Sequence, residues 1–457
     1  MNRQTPDAAA AARPDAGGPK GPLDRFLGIF ADVKGGEGLT ALLLMFNIFL
    51  LLASYYLLKT IREPLILAGN GGAEVKSYAA AAIAGLLVIL VPAYGALASR
   101  VSRVRLINGV TLIFILCLVA FFVLNRAGVP VGVPFFIWVG IFNVMMVAQL
   151  WAFANDIYTV EQGKRLFAIV GVGASLGAIA GSFATGKLVK EYGPYPFMLA
   201  AAVLLGLCMF LTNIIHMREK AHAAGAAAGK EGGPKDSGET IGGKNGFALV
   251  LSDRYLLMIG LLMLLVNLVN TTGEYILGKT VVNLLAAGPG AAAGMDEKKA
   301  IGEFYGNYFT WVNIISALLQ AFVVSRVIKY FGVRTALLVM PVVAFSGYTA
   351  MAFIPILPLI RGVKMAENSL DYSLQNTTRN ALYLPTSREA KYKAKQANDT
   401  FFVRAGDVLS AGLVFAGTTW LNFAAKQFAL VNAALVLVWL GLAFMLGLSF
   451  KRLAKTD

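Results

Sequence analysis

Ionisable side chains interrupt stretches of the sequence that are otherwise apolar and long enough to cross a membrane. The basic members are Lys59, Arg62, Lys279, Arg361, Lys364, Arg379 and Arg404. The acidic members are Glu63, Asp156, Glu274, Glu367, Asp371 and Asp407. A charge at membrane depth is costly, so such residues usually face a cavity or pair with one another. As a set, they could bind an anion, carry protons or close a gate.

The stretch Arg361–Arg379 is the most polar of these segments. Lys364, Glu367 and Asp371 are three and four residues apart, which places them on one face of a helix. A helix this polar at membrane depth must face water or substrate. The candidate gate or proton-binding residues are Glu63, Glu367, Asp371 and Asp407.

Composition identifies the class of protein that holds these charges. Hydrophobic residues make up 57% of the 457 positions and charged residues 14%, and the mean hydropathy is +0.67. Ordinary soluble domains have about 25% charged residues. These values exclude a soluble enzyme, a disordered protein and a nucleic-acid-binding module. The net charge of +15 fits loops that face an anionic leaflet. We therefore expect a lipid bilayer as partner and no nucleic acid.

The lengths of the apolar runs predict an all-α membrane protein with about twelve transmembrane helices in two halves of six. The first half contains Leu39–Arg62, Tyr78–Ala98, Leu106–Leu124, Val133–Asn155, Leu166–Val189 and Phe197–His216. The second half contains Tyr255–Leu285, Tyr305–Ile328, Thr335–Ile354, Leu357–Leu384, Phe401–Phe423 and Phe428–Phe450.

The predicted organisation also includes two tails and a linker. The units are a tail and interfacial segment at 1–38, six-helix halves at 39–216 and 255–450, a cytoplasmic linker at 217–254, and a tail at 451–457. Residues 1–20 are predicted to be disordered. Leu23, Phe26, Leu27, Phe30 and Val33 then recur at helical spacing. This amphipathic helix could lie on the membrane surface or pack on the bundle, and both alternatives are open.

Basic residues predict the orientation of the chain. One set of loops carries Arg100, Arg103, Arg105, Lys164, Arg165, Arg326, Lys329, Arg334, Arg388, Lys391, Lys393 and Lys395, together with the linker. The opposite loops carry Lys76, Arg126, Lys187, Lys190, Lys298, Lys299 and Lys426. The richer side also holds both termini, which are therefore predicted to be cytoplasmic.

The distribution of charges indicates a transporter. The intramembrane charges fall mainly on the first, fourth, seventh, tenth and eleventh spans. In a bundle built from three-helix repeats, the first helix of every three lines the central path. The fifth spans of the two halves, around Gly181 and Gly417, are similarly rich in small residues. Two related six-helix halves are typical of secondary transporters. A membrane enzyme would need a nucleophile and base, or an HExxH pair, and a receptor would not need this distribution.

Other features of the sequence do not indicate a cofactor. Gly273–Thr280 matches the phosphate-loop pattern, but it lies inside an apolar helical span without a preceding strand. Cys117 and Cys208 lie in apolar runs, and His216 and His222 are too few for a metal centre. We expect no cofactor and no metal.

Three stretches resemble one known family. Tyr55–Leu67 resembles the end of helix one in the ATP/ADP (nucleotide) translocases of plastids and intracellular bacteria. Trp151–Ala168, followed by Gly171–Ala174, is the most specific match, and Lys391–Asp399 with Arg404 resembles the loop into helix eleven. The resemblance implies a major-facilitator-like fold in a bacterial inner membrane, with a cavity that exchanges nucleotides. The sequence departs from the family at Asn270 and Asp407, where the family has a glutamate and a lysine.

These observations predict a secondary transporter that works by alternating access, most simply a transporter of nucleotides. The alternative is proton-coupled transport of another organic anion or metabolite. The candidate substrate-binding residues are Lys59, Arg62, Asn155, Asp156, Asn270, Glu274, Lys279, Arg361, Lys364 and Arg404. Tyr55, Trp151 and Tyr372 are candidate stacking residues for a ring. The expected substrate is a small molecule, anionic like a nucleotide.

Overall fold

A computed structural model gives the conformation of most of the chain. It describes residues 21–28, 32–98, 100–158, 160–227, 246–287, 296–387 and 389–453. The predicted disordered segment at 1–20 and the centre of the predicted linker lie outside these residues. The structure confirms an all-α membrane protein.

The first half contains six long helices, each built on one of the predicted apolar runs. They are α1 (Gly38–Leu67), α2 (Gly72–Ala98), α3 (Arg103–Arg126), α4 (Gly132–Ile157), α5 (Val160–Tyr192) and α6 (Pro196–Ala227). Helix α6 continues past the predicted end at His216 into the predicted linker. A short helix, Gly246–Ser252, precedes the second half.

The described part of the second half contains six further α-helices of 14 residues or more. They are α7 (Arg254–Ala287), α8 (Glu297–Leu318), α9 (Ser325–Phe353), α10 (Leu357–Leu370), α11 (Val403–Thr419) and α12 (Ala425–Leu453). Short π-helical stretches extend three of them, Leu319–Val324 after α8, Asp371–Gln375 after α10 and Asn398–Phe402 before α11. Such irregular turns often mark functional positions in helices.

The twelve predicted spans are all present. Within the described residues, ten helical stretches are long and apolar enough to cross a membrane by length and composition. One of them, Glu297–Phe353, holds two spans, because Gly332 breaks the helix with a φ of 76°. Only a residue without a Cβ adopts a φ of 76° at low cost, which explains the glycine at this break. The polar α10 completes the set of twelve, since its charges keep its hydropathy below that of the other spans.

The same helix pairing occurs in both halves. In the first half, a Cβ on Gly177 of α5 would lie 2.3 Å from the carbonyl oxygen of Phe49 in α1. In the second half, a Cβ on Gly406 of α11 would lie 2.8 Å from the carbonyl oxygen of Leu264 in α7. Small residues therefore let the fifth helix of each half approach the first. This agrees with the repeat that the sequence predicted.

The two halves meet through α5 and α8. The Cβ of any larger residue at Gly306 would lie 2.3 Å from the Cα of Gly186, so the two backbones are in contact there. Further along the same pair of helices, Asn313 donates a hydrogen bond to the carbonyl oxygen of Ala178 at 3.3 Å. On the other flank, the ring of Tyr78 in α2 packs edge-on against Phe415 in α11 at 6.3 Å.

The segment before α1 packs against the bundle. Asp24 is buried and accepts hydrogen bonds from the backbone N–H groups of Gly36 at 3.1 Å and Gly38 at 2.9 Å. Leu27 and Val33 are buried beside it. The described residues of this segment therefore pack on the start of α1, while Phe30 lies outside the described residues.

Ion pairs hold together the helix ends that lie near the termini. Glu37, just before α1, accepts hydrogen bonds from Arg165 of α5 at 2.9 Å and from Gln162 at 3.1 Å. Burial acts to raise the pKa of Glu37, but these bonds and one from the backbone of Lys34 outweigh it and lower that pKa. Thr40 of α1 also donates to Glu219 of α6 at 2.8 Å. The start of α1, the start of α5 and the end of α6 therefore share one side, called the terminal side below.

Candidate substrate-binding site

A cavity of about 230 Å³ lies between the two halves. Its wall is built by residues of α1, α2, α4, α7 and α11, together with Phe309 of α8 and side chains on and just after α10. The predicted site residues in this wall are Lys59, Arg62, Glu63, Asn270, Glu274, Arg404 and Asp407. Sites for small molecules are concave and present a few converging polar groups, as this cavity does.

Lys59 lies inside a cage of aromatic rings. Its Nζ is 4.6 Å from the ring centre of Phe309 and 4.9 Å from that of Tyr56, and the rings of Tyr55 and Tyr372 are also close. The Nζ donates one hydrogen bond, to the Tyr372 hydroxyl at 2.9 Å. Although the side chain is only 8% exposed, no carboxylate among the described residues lies within ion-pair distance of it. An ammonium group has three donors, so two are available to a ligand.

Glu63 binds two cations beside this cage. The Nζ of Lys76 lies 2.6 Å from one carboxylate oxygen, and the Nε of Arg62 lies 3.2 Å from the other. The guanidinium of Arg62 also lies 4.5 Å from the ring centre of Phe136, a cation–π contact. Glu63 thus fixes both basic side chains at the wall of the cavity.

Glu274 connects the two halves. Its carboxylate accepts a hydrogen bond from the Asn368 side chain at 2.9 Å. It also lies 3.8 Å from Lys76 of the first half and 3.8 Å from Lys364 of the second half. Both longer contacts are electrostatic rather than hydrogen bonds.

Lys364 and Glu367 form a fully buried pair behind the cavity wall. The Lys364 Nζ lies 2.7 Å from Glu367 and 2.6 Å from the Asn270 side-chain oxygen. The hydroxyl of Tyr348 donates to the same Glu367 oxygen at 2.8 Å. With Glu63, Lys76 and Glu274, these residues make a chain of alternating charge that runs from α1 to α10.

Asp407 joins α7 to α11 at another part of the wall. It accepts hydrogen bonds from Arg404 at 2.8 Å, from the Asn267 side chain at 2.7 Å and from Thr271 at 3.0 Å. The charge of Arg404 is therefore already balanced by a carboxylate on its own helix.

The cavity is closed on the side opposite the terminal side. Lys279 of α7 pairs with Glu74 of α2 at 2.7 Å, and Tyr275 donates to the same carboxylate at 3.0 Å. Lys190 of α5 pairs with Glu303 of α8 at 2.8 Å. Each of these contacts joins one half to the other beyond the cavity.

On the terminal side, a polar path leads out of the cavity. Tyr372 is 37% exposed although it contacts Lys59 at the centre of the bundle. Asn376 and Asn380 follow at intervals of four residues and are also exposed. These three residues share one helical face, which runs from the cavity toward the terminal side. The conformation is therefore closed on the far side and open toward the termini.

Several predicted site residues lie away from this cavity. Asn155 and Asp156 are exposed at the terminal end of α4, where Asp156 pairs with Arg103. Arg361 lies 5.4 Å from the ring centre of Phe304, and Trp151 packs edge-on against Phe167. Lys364 and Glu367 lie behind the cavity wall rather than in it.

Asp371 and the phosphate-loop pattern also lie apart from the wall. Asp371 has no ion pair or hydrogen bond from its side chain among the described residues, and it is not part of the wall. Gly273 is within α7, where a Cβ would meet the Tyr348 hydroxyl, and Lys279 is paired with Glu74. The helix confirms that Gly273–Thr280 is not a phosphate loop.

The sequence interpretation missed two charged residues of the network, Glu74 and Lys76. It placed both before the start of the second span, at Tyr78, whereas α2 begins at Gly72. A carboxylate two residues into a helix is favoured there by the helix dipole, and this was the available signal for an earlier start.

A family model described as the Major Facilitator Superfamily matches residues 38–366. Relatives also match the chain directly. It is 26% identical over 306 residues to ADP,ATP carrier protein 1 of Chlamydia pneumoniae, a match that covers 58% of this chain and 56% of that protein. It is 24% identical over 315 residues to ADP,ATP carrier protein 4 of Rickettsia bellii (strain RML369-C). This match covers 59% of this chain and 56% of that protein. The matched region thus spans a little over half the length of these relatives. They confirm the resemblance that the sequence motifs indicated.

Solved structures share the fold. The nucleoside transporter NupG superposes with a TM-score of 0.59 at 13% identity, covering 91% of this chain and 98% of that chain. A second match is a bacterial homolog of the human lysosomal transporter Spinster, in an inward-facing and unoccupied conformation. It superposes with a TM-score of 0.58 at 12% identity and covers 91% of this chain and 98% of that chain. Identities this low bear on the fold alone. Because the family model matches well over half of the chain, the protein belongs to the Major Facilitator Superfamily.

Proposed function

We propose that the protein is a secondary transporter that moves nucleotides across the membrane by alternating access. The observation that carries the proposal is the cavity between the halves, which is lined by charged, aromatic and amide side chains and has ion pairs between the halves on one side. A site at the interface of two six-helix halves is the usual substrate position in such transporters. The similarity to ADP,ATP carriers supports a nucleotide as the substrate.

The wall of the cavity offers partners for each part of a nucleotide. Lys59 and Arg62 are placed to bind phosphate oxygens, since both carry donors that the described residues do not use. The rings of Phe309 and Tyr372 offer faces for a base. The side chain of Asn270 adds an amide to the same wall, at a point where it also bonds Lys364. The substrate is thus expected to be anionic.

Transport requires that the closed side open and the terminal side close. Opening would separate Lys279 from Glu74 and Lys76 from Glu274, because both contacts cross between the halves. The two six-helix units, 39–216 and 255–450, are expected to move as bodies, with α5 and α8 as the contact about which they rock.

Uptake into proteoliposomes tests the proposal. Purified protein is reconstituted, and the vesicles are offered labelled nucleotides with and without unlabelled nucleotide inside. We expect uptake that depends on the protein and is stimulated by nucleotide in the lumen. Uptake of labelled organic anions that unlabelled nucleotides do not inhibit would contradict a nucleotide carrier.

Proton-coupled transport is the second candidate, and Asp371 favours it. This carboxylate lies in the π-helical stretch after α10, with no side-chain partner among the described residues. The charges of Arg379, Glu367, Lys364 and Lys59 act on it. A carboxylate at membrane depth that is free of a fixed partner can gain and lose a proton during the cycle.

Replacing Asp371 with asparagine is expected to abolish accumulation driven by a pH gradient and to leave exchange in place. Exchange needs only the loaded carrier to reorient, whereas accumulation needs a proton to bind and leave. Accumulation and exchange are measured on the same vesicles, with Asp399→Asn, whose carboxylate pairs with Lys395 on the terminal side, as the control. If Asp371→Asn accumulates substrate like the parent, Asp371 is not the coupling residue.

We also propose that the protein lies in the bacterial inner membrane with both termini in the cytoplasm. The excess of Lys and Arg in the loops of the terminal side supports this orientation. The conformation that is open toward the termini would then be the inward-open state.

Cysteine labelling in intact cells tests the orientation. With Cys117 and Cys208 replaced, Lys298→Cys is expected to react with an impermeant maleimide, whereas Lys230→Cys is expected to react only after the cells are lysed. The reason is that residue 298 belongs to the sparsely basic side and residue 230 to the linker. Equal labelling of both in intact cells would contradict the orientation.

A further inference from the structure

The charges in the wall of the cavity are nearly balanced. The basic residues that line it are Lys59, Arg62, Lys76 and Arg404, and the acidic ones are Glu63, Glu274 and Asp407. Four positive and three negative charges leave a net charge of +1. The buried pair of Lys364 and Glu367 behind the wall is neutral and leaves this value unchanged.

Most of these cations are already bound to carboxylates. Arg62 and Lys76 share Glu63, and Arg404 pairs with Asp407. Lys59 is the one lining cation without a carboxylate at ion-pair distance within the described residues. Its ammonium group is held by aromatic rings and a single hydrogen bond to Tyr372.

Recruiting further cations to a ligand would leave carboxylates unpaired. If a phosphate drew Lys76 away from Glu63, a carboxylate that is 1% exposed would lose its shortest contact. Leaving one partner of a buried ion pair uncompensated is strongly unfavourable. The same holds for Arg404 and Asp407. The cavity therefore offers one free positive charge, plus the unused N–H groups of Arg62.

Phosphate chains differ in how well they match this charge. A phosphate monoester carries about −1.5 to −2 at neutral pH. Each further phosphate in the chain adds negative charge for which the wall has no free cation. A single phosphate fits the two free donors of Lys59, and the rings around Lys59 fit a flat, aromatic base nearby.

Building on the transport role proposed above, we propose that the preferred substrate is a nucleoside monophosphate rather than a di- or triphosphate. Lys59 is the residue that makes this choice, because it is the only lining cation of the described wall without a carboxylate at ion-pair distance. Arg62, whose charge is paired with Glu63, adds only its unused N–H donors to the same phosphate. Nucleosides bind less tightly because they leave that lysine without a partner.

Binding to the purified protein tests this substrate class. Isothermal titration is carried out without Mg²⁺, so that the charge of each phosphate chain is not masked. The ligands are the 5′-mono-, di- and triphosphates and the nucleosides of adenine, guanine, cytosine and uracil. We expect at least one monophosphate to bind about 10-fold more tightly than its di- and triphosphate and than its nucleoside.

Variants of Lys59 link the preference to this residue. Lys59→Gln is expected to weaken monophosphate binding about 10-fold and to leave nucleoside binding little changed. The affinities of this variant for the monophosphate and the nucleoside therefore become similar. Lys59→Arg, which keeps the charge, should retain the preference and shows that the fold tolerates a change there. Lys187→Gln, at an exposed lysine of α5, is the matched control and should bind like the parent.

The outcomes separate this inference from the proposed function. Tightest binding of a di- or triphosphate would overturn the monophosphate preference and leave nucleotide transport standing. Unchanged monophosphate affinity in Lys59→Gln would also overturn the inference. If no nucleotide of any phosphate number binds or is taken up, both the inference and the proposed function are wrong.

Discussion

Replacing Arg62 with alanine is expected to reduce transport by about 100-fold or more while leaving the protein folded. Arg62 lies in the cavity wall with four guanidinium N–H donors that no described residue accepts. Removing a charged group that contacts a ligand in a desolvated site typically costs about 2–5 kcal/mol. A cost of about 3 kcal/mol corresponds to a change in affinity of roughly 100-fold.

The fold should tolerate this change because Glu63 keeps its shorter partner. Lys76 lies 2.6 Å from Glu63, so the carboxylate remains paired when Arg62 is absent. Lys187→Ala is the control, since it removes an exposed basic residue of α5 that lies outside the cavity wall. Initial uptake rates and gel-filtration profiles are compared for both variants. An Arg62→Ala protein that folds and transports like the parent would contradict the anion-binding role.

The charge network connects the substrate site to the contacts that close the far side. Glu63 binds Arg62, which faces the cavity, and Lys76, which approaches Glu274 across the halves. An anion bound at Arg62 would compete with Glu63 for positive charge and would alter the contact between Lys76 and Glu274. In the proposed transport cycle, substrate binding and opening of the far side would therefore act on the same three ion pairs, Arg62–Glu63, Lys76–Glu63 and Lys76–Glu274.

The sequence was sufficient to predict the layout of the fold. Length and hydropathy of the apolar runs gave the twelve spans, because a membrane helix must satisfy its backbone internally and cover it with apolar side chains. The polar stretch after Arg361 was also placed in a span, Leu357–Leu384, and was interpreted as a helix that faces water or substrate. The small residues around Gly181 and Gly417 predicted that the fifth span of each half packs closely against a neighbour, but the sequence did not identify the first span as that neighbour.

The site was only partly predictable, because partners belong to tertiary structure. Polar Asn155 and charged Asp156 lie at the end of a predicted span, which made them candidates. The structure places both outside the cavity, where Asp156 pairs with Arg103. Lys76 is near a predicted span boundary, where an error of one turn decides whether a residue is counted as loop or wall. No spacing in the sequence indicates that Lys364 points away from the cavity, toward Glu367 and Asn270.

Replacing Lys364 with methionine is expected to destabilise the protein more than any other change considered, by about 3–5 kcal/mol. Both Lys364 and Glu367 are fully buried, and their side chains lie 2.7 Å apart. The variant would leave Glu367 with the Tyr348 hydroxyl as its donor and without a cation. Breaking a buried ion pair by removing one partner costs about 3–5 kcal/mol, because the remaining charge is not compensated.

The double variant Lys364→Met/Glu367→Met should recover most of this loss. It removes both charges and replaces them with flexible apolar side chains that can fill the space. The free energy of unfolding is measured in detergent micelles by denaturant titration for the parent, both single variants and the double variant. A large coupling energy in this double-mutant cycle would show that the pair holds α10 in place through mutual compensation of charge. If Lys364→Met is as stable as the parent, Glu367 accepts a proton at little cost, and the pair does not fix the position of α10.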